Sequence, residues 1–281
     1  MSHRFPRAPF PPAVAHLLLV WPTLMNIKTM MCSLVVLSLL ALVAKAERAY
    51  PEVTFQYSPV FDDACASATK QAIVPEAVKE LQDRLPSFQE TWRADAPQLL
   101  GAVPELTGVP FHFREAKAAL VLCGFPSMAN PLMINVTRYL KATAKGPVAP
   151  VTVFSNAILH EILHRYVTDW LDTRGHTTPL LTKYANEPKL VLDHLHLFAI
   201  ERLVYRKLGR EKDLETVIAS QDLIPLGPAF RRTREIVEKE KPESFLLEFR
   251  NDAAGNRDLQ DVIGLTKRWS ERRTAVRSSL R

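Results

Sequence analysis

Residues 160–164 read His-Glu-Ile-Leu-His. On a helix, residues four apart project from one face, so His160 and His164 can offer two imidazoles to a single metal ion. Glu161 lies beside them, not as a ligand but placed to take a proton from a metal-activated water. Such a set hydrolyses amides: the metal lowers the pKa of water and polarises the carbonyl, and the carboxylate shuttles the proton. With eight His and eighteen Glu in 281 positions, chance yields this pattern on the order of 0.01 times. The plainer alternative is two hydrogen-bonded histidines on a core helix, with Glu161 bonded to one of them.

Two histidines leave a third ligand to be found. His194 stands in the apolar run Asp-His-Leu-His-Leu-Phe-Ala-Ile, where burying an unpaired imidazole is costly and a metal would supply the reason. Glu187 lies 23 residues beyond His164, directly before Pro188. His176, in Arg-Gly-His, is a loop alternative twelve residues beyond His164. We take His194 as the third ligand, with Glu187 and His176 as the alternatives. The stripe from Glu187 through Val191 to His194 continues to Glu201, while His196 points to another side. A residue left out of the ligand set can serve behind the ligands or as an electrophile. Tyr184 and Tyr205 are the candidates for stabilising an oxyanion, each with a core or rim role as its plainer reading.

The elements that must hold these residues are mostly helical. Ser155 is a good N-cap for a helix from Asn156 to about Leu171, and Gly175 follows its end. A second helix, apolar nearly all round and therefore buried, is expected from near Pro188 to Leu208, closed by Gly209. Two more are expected near 228–239 and 242–250. Residues 75–93 carry helical spacing from Pro75, with Pro86 as a break or kink. Segment 47–62 reads as extended and irregular. The short runs AALVLCGF and PLMINVTRYL, rich in strand formers and bounded by Gly and Pro, read as strands of a small sheet.

The chain's ends differ from its body. Cys32 to Ala44 is uncharged and apolar, preceded by Lys28 and followed by Ala-Lys-Ala. This is the grammar of a secretory signal, and too short a run to span a bilayer. The expected organisation is a signal region over 1–46 (with Met25 as a better start than Met1), a catalytic domain over 47–250, and a polar basic tail over 251–281. An anchor using both N-terminal apolar patches is the minority reading, and the only one that attaches the chain to a membrane. Between the ends, residues 47–266 hold 26 basic against 29 acidic side chains. A slightly acidic body with basic ends is not a nucleic-acid footprint. Three cysteines are too few for a disulfide scaffold, but Cys65 and Cys123 remain after export and can pair if geometry allows.

The chain resembles the zincin group of metal-dependent peptidases in its H-E-x-x-H helix and a following ligand-bearing helix. It departs from the metzincin branch, since Val167 and Trp170 stand where that pattern has Gly and a third His. Asn186-Glu187 is similar to the gluzincin third-ligand motif, though Pro188 follows and no Asp lies four residues on. The stretch HEILHRYV…TPLLTKYANEP…DHLHLFAIERLVYRKLG also resembles a set of exported bacterial proteins of uncharacterised activity, over roughly residues 110–250. The resemblance implies an α+β fold, mostly α-helical. It has a zincin-like core with a small β-sheet, its HExxH helix packed against a long buried helix. The expectation is a periplasmic or secreted bacterial hydrolase holding one zinc ion per chain and acting on a peptide or protein. The alternative is a non-catalytic exported helical protein with a structural or degenerate metal site.

Overall fold

A computed structural model describes residues 49–123 and 126–251. The expected signal region lies outside the described residues, as does the tail, save Asn251. Among the described residues, no helix is long and apolar enough to cross a membrane.

The chain enters as strand β1 (Glu52–Tyr57), whose alternation puts Val53 inside and Phe55 and Tyr57 half inside. Helix α1 (Pro59–Thr69) follows at once, so the expected irregular segment is a strand and a helix start. After α2 (Pro75–Thr107) come β2 (Glu115–Val121), a two-residue β3 (Met128–Ala129) and β4 (Leu132–Asn135). The sheet order is β1-β2-β4-β3. The first two pairings are parallel, with Phe55 opposite Ala118 and Leu120 opposite Ile134, and β3 closes the edge antiparallel to β4. Strand β2 is covered on both faces, which explains its near-continuous apolar run. Ala118 and Leu120 face the main core, while Ala119 and Val121 meet Met133 and Phe61 of α1 on the other side.

A disulfide joins Cys65 of α1 to Cys123 just beyond β2, at a Cα–Cα separation of 6.0 Å that suits the bond. The buried Asp62 carboxylate, one turn earlier, accepts the backbone N–H groups of Leu122 and Cys123 at 2.8 and 3.0 Å. Together these clamp α1 to the sheet.

Helix α2 runs through Pro86, Pro97 and Pro104 without ending, so of the break or kink expected at Pro86 the break does not occur. A proline inside a helix costs about 3 kcal/mol. The burial of Leu81, Phe88, Trp92, Leu99, Leu100 and Val103 along one stripe offsets that cost. Gly108 ends the helix at φ 76°, its N–H reaching the Pro104 carbonyl.

Helix α3 (Val151–Asp172) carries the His-Glu-Ile-Leu-His run. It begins a turn before the expected start, on Pro150, and leaves Ser155 fully buried inside it. The reason is packing: Phe154 stacks on Phe88 (centroids 4.6 Å apart) and meets Tyr139 at 5.3 Å, which outweighs a serine cap. Short helices α4 (Pro179–Lys183) and α5 (Lys189–Leu192) lead into α6 (Leu195–Lys207), then α7 (Glu211–Gln221), α8 (Gly227–Glu240) and α9 over 242–251. The architecture is α+β and mostly helical. Helix α3 packs on the buried α6 as expected, but the single long helix expected from Pro188 is two helices, broken at Asp193–His194.

Candidate metal centre

The break in that helix is what brings the third histidine in. In an unbroken helix the Leu190 carbonyl would accept the backbone N–H of His194. Here that N–H turns to Val191 O at 3.1 Å, and the His194 ring takes over Leu190 O through Nδ1 at 2.6 Å. A carbonyl can only accept, so Nδ1 carries the proton and Nε2 presents its lone pair. That Nε2 lies 3.1 Å from His164 Nε2.

His160, His164 and His194 each offer one nitrogen, and the three atoms lie within 4.8 Å of one another. Three histidines therefore stand close enough to hold a metal ion. Of the candidates for the third position, His194 is the one placed here. Glu187 is gripped by Arg232, whose Nη2 and Nε donate to its carboxylate at 2.6 and 3.2 Å, and that ion pair holds Glu187 below the usual carboxylate range. His176 sits in a left-handed turn (φ 63°), exposed, with Nδ1 3.2 Å from Asp172. His196, two residues from His194, points the other way and donates Nε2–H to Glu248 at 2.6 Å.

The cradle is dry at its base and more open on the His164 side: His160 and His194 are 8% and 4% exposed, while His164 is half-buried. Phe198 of α6 and Phe230 of α8 wall it, with ring centroids 4.9–5.8 Å from those of His160 and His194. Burial in this apolar box lowers His164 to about 2 and His194 to about 3, helped by the charge on His160, so both rings are neutral, as a metal ligand must be. His160 goes the other way. Burial opposes its protonation, but the carboxylates of Glu201 and Glu161 prevail and raise it.

Glu161 is 6% exposed. Burial pushes its carboxyl up to about 7, against the pull of His160. A carboxyl group that exchanges its proton near neutral pH is suited to general base work. The two tyrosines considered for an oxyanion are placed otherwise. The Tyr184 hydroxyl donates to Glu240 at 2.5 Å, and Tyr205 is fully buried.

Sequence reasoning missed the parts that arrive from far along the chain. Phe230 lies on a different helix and no local signal marks it. Glu201 was not missed as a position, since it continues the stripe of His194 two helical turns on; what the sequence did not give is its partner, His160, whose Nδ1 lies 3.7 Å from its Oε1. The edge strand β3, only two residues long, packs beside α3. Compared with protein-family models, with curated proteins and with solved structures, the chain matches none. What fold and site define together is an α+β protein with a three-histidine cradle and an adjoining buried carboxylic acid.

Proposed function

We propose that the protein is a zinc-dependent hydrolase acting on peptide bonds, with a zincin-like core and Glu161 as its general base. One observation carries the reading: three imidazoles each bring a nitrogen within 4.8 Å of the others, beside a buried carboxyl group poised near pH 7. The donor set suits zinc, which favours imidazole nitrogen in a four-coordinate site. Bound there, zinc would polarise the scissile carbonyl and acidify a water molecule. Glu161 would receive the proton and pass it to the leaving amine. His194, fixed by the Leu190 carbonyl, would keep Nε2 turned inward.

The alternative, a metal held only for stability, calls for a fourth protein ligand. Among the described residues no further His, Cys, Asp or Glu joins the group, which favours catalysis. Strand β3, at the edge of the sheet, packs beside α3, the position from which an extended peptide would add to the sheet. The Cys65–Cys123 disulfide supports an exported protein, periplasmic or secreted, since such bonds persist in oxidising compartments.

Metal counting on the purified chain, followed by peptide cleavage assays, tests the reading. We expect one zinc per chain and cleavage that falls 10²–10⁴-fold in Glu161→Gln with zinc retained. Zinc binding without any cleavage of a broad peptide mixture would favour the structural site. Absence of zinc binding by the folded chain would refute both.

A further inference from the structure

Two buried polar atoms beside the cradle have no hydrogen-bond partner: Nδ1 of His160 and Oε1 of Glu201. They face each other at 3.7 Å, near enough for the carboxylate to act on the ring and too far for a hydrogen bond. Glu201 is 3% exposed, and a carboxylate oxygen so deeply buried without a partner is costly and rare. The His160 ring also has a direction. With Nδ1 turned to Glu201, Nε2 is the nitrogen left for His164 and His194.

We propose that Glu201 is a positioning residue for the metal: it accepts the Nδ1–H of His160, fixing that ring with Nε2 toward the ion. This rests on the metal-binding reading and deepens it. A shift of less than about 1 Å brings the two atoms into hydrogen-bond range. A small cavity adjoins Glu201, lined also by Phe198, Arg202, Leu214, Arg234 and Val237. The arrangement also gives all three histidines a fixed direction by different means: the Leu190 carbonyl for His194, Glu201 for His160, and α3 itself for His164. A backbone carbonyl and a carboxylate are the usual partners behind metal-ligating imidazoles.

The test uses the full chain, stripped of metal, and zinc alone as the probe, titrated in competition with a chelator of known affinity. Glu201→Gln keeps the shape and an acceptor oxygen but loses the charge. Glu201→Leu removes both. We expect zinc affinity to fall about 10-fold in Glu201→Gln and up to about 100-fold in Glu201→Leu. The melting temperature of each metal-free variant is measured beside that of the natural chain, so that a change in folding stability is separated from a change in zinc affinity. A proton NMR signal from the His160 Nδ1–H, protected from exchange in the zinc-loaded natural chain, should be lost in Glu201→Leu. Zinc affinities within twofold of the natural chain in Glu201→Gln overturn the proposal while leaving the metal centre intact. Should Glu201→Leu not fold, Glu201→Gln decides alone. Failure of the natural chain to bind zinc overturns the metal reading itself.

Discussion

Replacing His194 gives the sharpest test of how this fold assembles its cradle. Zinc that binds only the folded chain stabilises it by RT ln(1 + [Zn]/Kd), about 2.7 kcal/mol when free zinc is 100 times Kd. For a fold of about 200 residues, each kcal/mol moves the melting temperature by about 2–4 °C, so zinc should raise it by about 5–11 °C. His194→Ala removes one of three ligands and the ring that holds the Leu190 carbonyl. Shared among its ligands, a zinc-binding free energy of about 10–16 kcal/mol allots roughly 3 kcal/mol to each, or a loss of about 10²-fold or more in affinity. At the same free zinc the stabilisation then falls to about 0.4 kcal/mol, a shift of under about 2 °C. The assay is thermal unfolding followed by circular dichroism, with and without buffered zinc, so that any loss of metal-free stability in the variant is subtracted. Glu187→Ala serves as the control, since Arg232 and not the cradle holds that carboxylate, and it should keep the full shift. An undiminished zinc shift in His194→Ala, or its loss in Glu187→Ala, would refute the assignment.

Two further predictions concern what supports the cradle. Glu248 accepts from the Leu180 N–H at 2.8 Å and from His196 at 2.6 Å, tying α9 to α4 and α6. Burial alone would raise its pKa, but these hydrogen bonds prevail and hold it below the usual carboxylate range. Its folded-state pKa being depressed, its contribution is complete above the unfolded value of about 4.3 and is lost as pH falls through the folded one. Glu248→Gln should therefore cost about 1–3 kcal/mol at pH 7, a difference that shrinks in urea titrations carried out below about pH 4. For the disulfide, a sequence separation of 58 residues implies about 4 kcal/mol of loop-closure stabilisation. Cys65→Ser with Cys123→Ser should lower stability in denaturant titrations by up to that amount and leave zinc affinity unchanged, because the bridge ties α1 to the end of β2 and neither cysteine is among the cradle residues. An equal stability in the two chains would show that the bridge contributes nothing.

Much of the centre was legible because it is local. The spacing of His160 and His164, and the place of Glu161 beside them, follow from the helical period alone. The strands around Leu120 and Ile134 were legible for another local reason, their short apolar runs of strand formers, which suit a sheet covered on both faces. Local rules failed where burial over long distances outweighed them. Phe154, held between Phe88 and Tyr139, drew the start of α3 a turn past the serine cap, and the apolar stripe of α2 carried that helix through three prolines.

Three residues competed for the third ligand position, and nothing in their spacing chose among them. Tertiary structure decided by giving each a different neighbour. Arg232, 45 residues along the chain, captured Glu187. Asp172 and a left-handed turn took His176 to the surface. His194 alone was left facing His164, at a break in a helix that its own ring helps to make. A sequence period fixes which side chains share a face over three or four residues. Which of several distant groups meets that face depends on how the helices pack, and on which charges are paired before they reach it.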